Sequence, residues 1–194
     1  FNRVSAQEKA RENGRRNGDY DFGTNPCSEI ILRPNQFCNL TEVVVRPMDT
    51  EASLHDKIEI ATILGTIQAT LTDFGYLRKR WQQNTEEERL LGVSLTGIMD
   101  NSIINRRRER LPEILQSMRN KAVITNKEWA EKLGIPQSTA ITCVKPSGTV
   151  SQLVDSASGI HARHNPHYIR TVRGDNKDPL TEFMKEQGIP NEPD

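Results

Sequence analysis

Between positions 53 and 74, apolar residues recur at steps of three and four: Leu54, Ile58, Ala61, Leu64, Ile67, Leu71 and Phe74. That period puts them on one stripe of an amphipathic helix, and the stripe is assigned to core packing. Ser53 with Asp56 supplies a start signal and Gly75 a stop. The period returns after Pro112, with Ile114, Met118, Ala122, Trp129 and Leu133 on one face and Gly134 as terminator. Period-two and β-branched runs lie between and beyond these helices. Residues 40–46 (Leu-Thr-Glu-Val-Val-Val-Arg, bounded by Pro47) and 138–144 (Ser-Thr-Ala-Ile-Thr-Cys-Val) predict strands, and 168–173 alternates like a third. Residues 90–99 read as a buried strand or strand–turn whose Gly92 and Gly97 admit close approach of another backbone or a ligand. Short helices are expected at about 5–12 and 178–188, the latter with Pro179 in its first turn, and Thr85-Glu86-Glu87-Glu88 reads as a helix start. Strands alternating with long helices predict an α/β architecture with parallel strands.

Composition narrows the class. The chain has 194 residues, room for one sizeable domain. Its 26 basic residues balance 26 acidic ones, so no global field draws it to nucleic acid or an anionic membrane, and no direct nucleic-acid binding is expected. The runs Arg106-Arg107-Arg108 and Arg78-Lys79-Arg80 read as solvated helix ends. No apolar run approaches the roughly 20 residues that cross a bilayer, and no signal-peptide pattern opens the chain, so no membrane association is expected. Three cysteines in a chain this long point to a reducing cytosol rather than a disulfide scaffold. The chain starts at Phe1 without methionine, ends at Asp194 after a turn-rich stretch, and is only 35% hydrophobic. Together these predict a piece of a larger protein.

Two stretches carry candidate chemistry. In Asn25-Pro26-Cys27-Ser28-Glu29-Ile30 an amide, a thiol and a carboxylate alternate, and an extended backbone would present all three on one face. A second thiol, Cys38, follows eleven positions later in Phe37-Cys38-Asn39-Leu40-Thr41. A solvent-facing loop with an incidental cysteine is the alternative. In Lys145-Pro146-Ser147-Gly148-Thr149-Val150-Ser151 a predicted strand gives way to a helix start, where backbone N–H groups and hydroxyls can cradle an anion. The spacing is not that of a Walker A loop, and an ordinary Ser/Thr cap is the competing reading. His161, His164 and His167 recur at steps of three, but Pro166 disfavours a regular helix there and no metal site is assigned. Cys143 reads as a packing residue within its strand.

In order along the chain, these segments resemble the ribonucleotide reductase catalytic chain of the adenosylcobalamin-dependent, class II type. The resemblance rests on Asn25-Pro26-Cys27-Ser28-Glu29-Ile30, Phe37-Cys38-Asn39-Leu40-Thr41-Glu42, Gly92-Val93-Ser94-Leu95-Thr96-Gly97 and residues 145–151. Ser158-Gly159-Ile160-His161 with Tyr168-Ile169-Arg170 continues it, so it spans about 1–173. The 11-residue gap between the cysteines and the Phe-Cys-Asn-Leu-Thr-Glu wording favour class II over class I, which usually has a longer gap. The resemblance implies that residues 1–194 form a C-terminal part of a ten-stranded α/β barrel, with a finger loop at about 22–38 and a phosphate loop at about 145–151.

It further implies that Cys27 becomes a thiyl radical, generated through the 5′-deoxyadenosyl radical of adenosylcobalamin, and takes the ribose 3′-hydrogen. Glu29 would act as base on the 3′-hydroxyl, Asn25 would bind the sugar hydroxyls, and Cys38 would be one of two reducing thiols. Pro146, Ser147, Gly148, Thr149 and Val150 would hold the substrate phosphates. The implied partners are a ribonucleotide, the missing N-terminal part of the reductase, and an external dithiol reductant such as thioredoxin. The implied setting is a bacterial or phage-infected bacterial cytosol. The family's other reducing cysteine precedes the finger loop and has no counterpart in this chain. Two alternatives stay open: a catalytically silent fragment or assembly partner, and a piece of a class I large subunit served by a separate radical-generating subunit.

Overall fold

The computed structural model describes residues 2–12, 14–106 and 109–193. Arg107 and Arg108, two-thirds of one predicted basic run, therefore lie outside the described residues, as do Phe1 and Asp194. Helix α1 (Arg3–Glu12) leads into a two-strand hairpin, β1 (Gly23–Thr24) antiparallel to β2 (Ile31–Leu32). Strand β3 (Asn39–Val44), helices α2 (Glu51–Gln68) and α3 (Lys79–Glu88) and strand β4 (Leu91–Thr96) follow. A short turn of 3₁₀ helix, α4 (Ser102–Arg106) and the long α5 (Leu111–Leu133) come next, then α6 (Val150–Leu153) and α7 (Pro179–Glu186). The chain divides into two units, Phe1–Arg163 and His164–Asp194.

Strands β3 and β4 pair in parallel through six residue pairs, from Asn39 with Leu91 to Val44 with Thr96. Parallel pairing demands a crossover connection, and α2 with α3 supplies it. The α/β expectation is borne out at this level. The predicted strand 138–144 shrinks to a single parallel bridge, Thr142 to Val93, flanked by Leu91 N–H to Ala140 O (2.9 Å) and Cys143 N–H to Val93 O (3.1 Å). Three parallel segments thus lie in the order β3, β4, 140–143.

One face of this sheet carries Val43, Leu91 and Val93, which pack on Leu54 and Ile58 of α2 and on Ile114, Met118 and Ala122 of α5. Leu54 is fully buried, and burying a leucine stabilises by about 1.5–3 kcal/mol. The opposite face carries Leu40, Glu42, Gly92, Ser94 and Cys143. β4 is buried on both faces along most of its length, so something must cover this second face as well.

Several predicted boundaries move. α2 starts earlier than 53, because Thr50 is the cap: it accepts from Ser53 N–H while Ser53 Oγ accepts from Thr50 N–H. It ends at Gln68, six residues short of Phe74, and the single predicted stripe divides. Leu54, Ile58 and Ala61 are buried, whereas Leu64, Ile67 and Leu71 are exposed. Residues 85–88 are the last turn of α3 rather than a helix start. Arg89 closes that helix in the left-handed region at φ 45°. α5 runs from Leu111 to Leu133 with Gly134 as its cap, as Pro112 and Gly134 signalled, but its inner face drifts from Ala122 to Thr125, Asn126 and Ala130, leaving Leu133 exposed. Residues 168–173 form no strand and are exposed coil. α7 is capped by Asp178, which accepts from Leu180 N–H at 2.8 Å.

Candidate active site

Asn25, Cys27 and Glu29 do not share one extended face. Residues 25–28 form a turn closed by Ser28 N–H to Asn25 O (3.0 Å), with Pro26 at its second position and Ser28 in the left-handed region at φ 64°. The Asn-Pro step carries this signal, since Pro fixes the φ that such a turn requires. The turn folds β1 onto β2, and Asn25 Oδ1 tightens it by accepting from Ile30 N–H at 3.0 Å. The consequences differ by residue. Cys27 is exposed at the hairpin tip, Glu29 points inward with its side chain 1% exposed, and Ile30 is buried.

The inward side of the hairpin meets the second face of the sheet at Gly92. A Cβ on Gly92 would lie 2.4 Å from Leu40 Cδ2, 3.1 Å from Cys143 Sγ and 3.2 Å from Ile30 Cδ1. Glycine is what lets hairpin, β3 and the third segment converge there, as the close-approach reading anticipated. Cys143 is therefore more than strand packing, because its thiol lies on the face that the hairpin covers. Burial pushes its thiol up to about 12, with Glu29 and Cys38 adding to the rise. Cys38, half-buried just before β3, is likewise raised by burial and by the Glu29 charge.

Glu29 is the hub of this group. Lys145 Nζ donates to Glu29 Oε1 at 3.0 Å, across 116 residues of sequence. Burial by itself would raise the Glu29 carboxyl, but Asn25, a backbone N–H and the Lys145 ammonium together hold it below the usual carboxylate range. Lys145 is raised in turn, chiefly by its bond to Glu29. Glu29 Oε2 is buried and has no hydrogen-bond partner among the described residues.

Lys145 opens the second candidate stretch. Gly148 sits in the left-handed region at φ 59° and a four-residue helix, α6, begins two residues on. Ser147 is buried, and its Oγ accepts from Ser151 N–H at 3.1 Å, while Ser151 Oγ donates to Gly148 O at 3.3 Å. Ser147 thus satisfies one of the first N–H groups of α6, whose N-cap residue is Thr149. Pro146, Gly148, Thr149 and Val150 are exposed on the loop crest. The loop is braced from beneath by residues 157–159. A Cβ on Gly159 would lie 3.3 Å from Lys145 O. Thr96 Oγ1 accepts from Gly159 N–H at 2.8 Å and donates to Ala157 O at 3.2 Å, tying the brace to the end of β4.

A buried polar network fixes the hairpin's base, and no local sequence pattern announced it. Arg16 grips Glu88 through two bonds, at 2.9 and 2.8 Å, and donates to Ile31 O at 2.7 Å. Gln36 Nε2 donates to Glu88 Oε2 at 2.5 Å, and Arg33 donates to Asn84 Oδ1 at 2.6 Å. Of the predicted histidines, His161 belongs to the first unit and His164 and His167 to the second, where His164 meets the Tyr168 ring edge-on. Among the described residues no three His, Cys, Asp or Glu side chains converge on a point where a metal would sit. Among the described residues no helix is long and apolar enough to cross a membrane.

No family model matches the chain. Curated relatives do. The chain is 29% identical over 198 residues to the adenosylcobalamin-dependent ribonucleoside-triphosphate reductase of Lactobacillus acidophilus, covering 89% of this chain and 26% of the relative. The enzyme of the same description from Lactobacillus leichmannii is 28% identical, over 91% of this chain and 27% of its own length. That from Lacticaseibacillus paracasei is 29% identical over 95% and 27%. A crystal structure of a B12-dependent (class II) ribonucleotide reductase superposes with a TM-score of 0.61 at 26% identity, covering 74% of this chain and 23% of that one. The resemblance to class II reductases is thereby borne out, and the chain spans about a quarter of the length of the curated relatives it matches.

Proposed function

We propose that this chain forms the catalytic heart of a class II ribonucleotide reductase, reducing ribonucleoside di- or triphosphates to deoxyribonucleotides together with the rest of that polypeptide. The observation that carries this reading is convergence. A hairpin with an exposed thiol at its tip, a buried carboxylate, a second thiol and a turn-and-hydroxyl loop meet on one sheet face, linked by the Glu29–Lys145 bond. Under this reading the sheet is part of a ten-stranded barrel, residues 22–38 are its finger loop and residues 145–151 its phosphate loop.

The residues present suit a radical cofactor: Cys27, exposed at the hairpin tip, is accessible to one. Adenosylcobalamin, when bound, supplies the unpaired electron. The chain's own residues then do the rest. Cys27, as a thiyl, takes the 3′-hydrogen of the ribose and returns it to C3′ once the 2′ position is reduced, becoming a thiyl again. Glu29 Oε2, ionised and without a hydrogen-bond partner among the described residues, accepts the 3′-hydroxyl proton. Asn25 has its carboxamide oxygen engaged by Ile30, and its amide, which also steadies the Glu29 carboxylate, binds the sugar hydroxyls. Cys38 gives one of the two thiol hydrogens and one of the two electrons that replace the 2′-hydroxyl by hydrogen as water leaves. The second thiol comes from the remainder of the reductase. A thioredoxin-like dithiol restores the pair. Residues 146–150 hold the phosphates. The setting proposed is the cytosol of a bacterium or phage-infected bacterium, where thiols stay reduced.

The test is turnover of a ribonucleotide by the assembled reductase with adenosylcobalamin and a dithiol. Cys27→Ser is expected to abolish turnover while nucleotide binding persists. Full activity in that variant sinks the proposal, and activity that ignores adenosylcobalamin but needs a metal-bearing subunit assigns the chain to class I instead.

A further inference from the structure

We propose that Lys145 is the positioning residue of the Glu29 base: its ammonium engages Oε1, keeps the carboxylate ionised and leaves Oε2 aimed at the substrate hydroxyl. This rests on the reading of Glu29 as base. A carboxylate whose side chain is 1% exposed is costly to keep charged unless a cation and hydrogen bonds meet it. Lys145 is the only cation within ion-pair distance of Glu29 among the described residues. The other titratable groups facing this carboxylate, Cys38 from the start of β3 and Cys143 from the third segment, are neutral thiols whose ionisation Glu29 opposes. They cannot replace the lysine.

The two carboxylate oxygens are treated differently. Oε1 is satisfied and Oε2 is not. A buried charged oxygen left unpaired is destabilising, so the open Oε2 of an otherwise paired carboxylate points to a ligand. Lys145 is also held rigidly. Pro146 follows it, Gly159 packs against its carbonyl and Thr96 anchors Gly159. The ammonium therefore reaches the base from the first residue of the proposed phosphate loop. Placement of the substrate phosphates and ionisation of the base share one piece of backbone.

The experiment uses the assembled reductase with carbon-13-labelled glutamate and isotope-difference infrared spectroscopy. In Lys145→Met the carboxyl band of protonated Glu29 is expected at a mildly acidic pH at which the unmutated protein shows none, absent from the Lys145→Met/Glu29→Gln double variant and absent again in Lys145→Arg. In turnover, Lys145→Met is expected to move the acid limb of the kcat profile upward by at least about one pH unit, about tenfold in rate at fixed acid pH, with Lys145→Arg restoring it. No new band together with an unmoved acid limb overturns the proposal. Should Lys145→Met fail to fold, the unmutated protein decides: Glu29 must titrate below the ordinary carboxylate range, and a midpoint at or above it overturns the proposal. The two readings separate cleanly. A wild-type assembly without ribonucleotide turnover removes the proposed function, and a band that appears without any turnover reduces Lys145 to the partner of a structural carboxylate, which also overturns its positioning role.

Discussion

At the scale of residues, the three thiols fall into two environments. Cys27 is exposed, while Cys38 and Cys143 are half-buried and raised, Cys143 to about 12. The thiolate is the form that alkylates, and a raised folded-state value depletes it at every pH below that value. Brief iodoacetamide treatment at pH 8 is therefore expected to label Cys27 first. Cys38 and Cys143 should label comparably only after unfolding, as mass spectrometry of peptides would measure. Equal labelling of Cys27 and Cys143 in the folded chain would contradict the placement. The identities of Asn25, Cys27, Glu29 and Cys38 as candidates were legible in the sequence, but their geometry was not. Alternation suggested a shared face because the Asn25-Pro26 turn signal was outweighed by spacing. Lys145 was legible only as the start of a loop, since nothing local announces a partner 116 residues away.

At the scale of elements, the hairpin is positioned by its base more than by its two short strands. Arg16 and Glu88 are 4% and 5% exposed at their side chains, and each completes the other's hydrogen bonding. Removing one member strands the other, which costs about 3–5 kcal/mol. Arg16→Met or Glu88→Leu alone is thus expected to lower the denaturation midpoint sharply, while the double variant recovers much of the loss. Additive losses in a double-mutant cycle followed by circular dichroism would refute this coupling. α5 and β3 were legible because Pro112, Gly134 and the β-branched run act locally. The end of α2 and the direction of residues 85–88 were not. Acidic residues suit a helix start, yet Glu88 is held at a helix end because tertiary pairing with Arg16 outweighs the dipole preference. The strand expected at 138–144 needed a partner along its whole length, and β4 meets it only near Val93.

At the scale of the whole molecule, the exposed side of α2 is the clearest departure from expectation. Ile60, Leu64 and Ile67 are 59%, 58% and 43% exposed, and Ile60 and Leu64 line, with Val44 and Glu42 of β3, a shallow groove of about 300 Å³. Helical period identified the apolar positions but could not say how many faces they served. In a chain that spans about a quarter of its relatives, a helix can be apolar on a side that the described residues leave bare. Among the described residues β3 likewise has β4 as its one strand neighbour, so its other edge is open to a further strand.

Arg163 ends the first unit with its guanidinium bonded to Asp100 at 3.1 Å and to Asp155 at 2.7 Å, and these carboxylates raise it well above its ordinary value. Proteolytic cleavage after arginine requires the side chain to leave its partners and enter the protease's pocket on an extended backbone. Arg170, in exposed coil, meets that demand far more readily. Trypsin is expected to cut after Arg170 well before Arg163, so the clamp doubles as a barrier that decides where the chain is trimmed. In Asp100→Asn/Asp155→Asn the order of the two cuts, read from the masses of the released fragments, should converge.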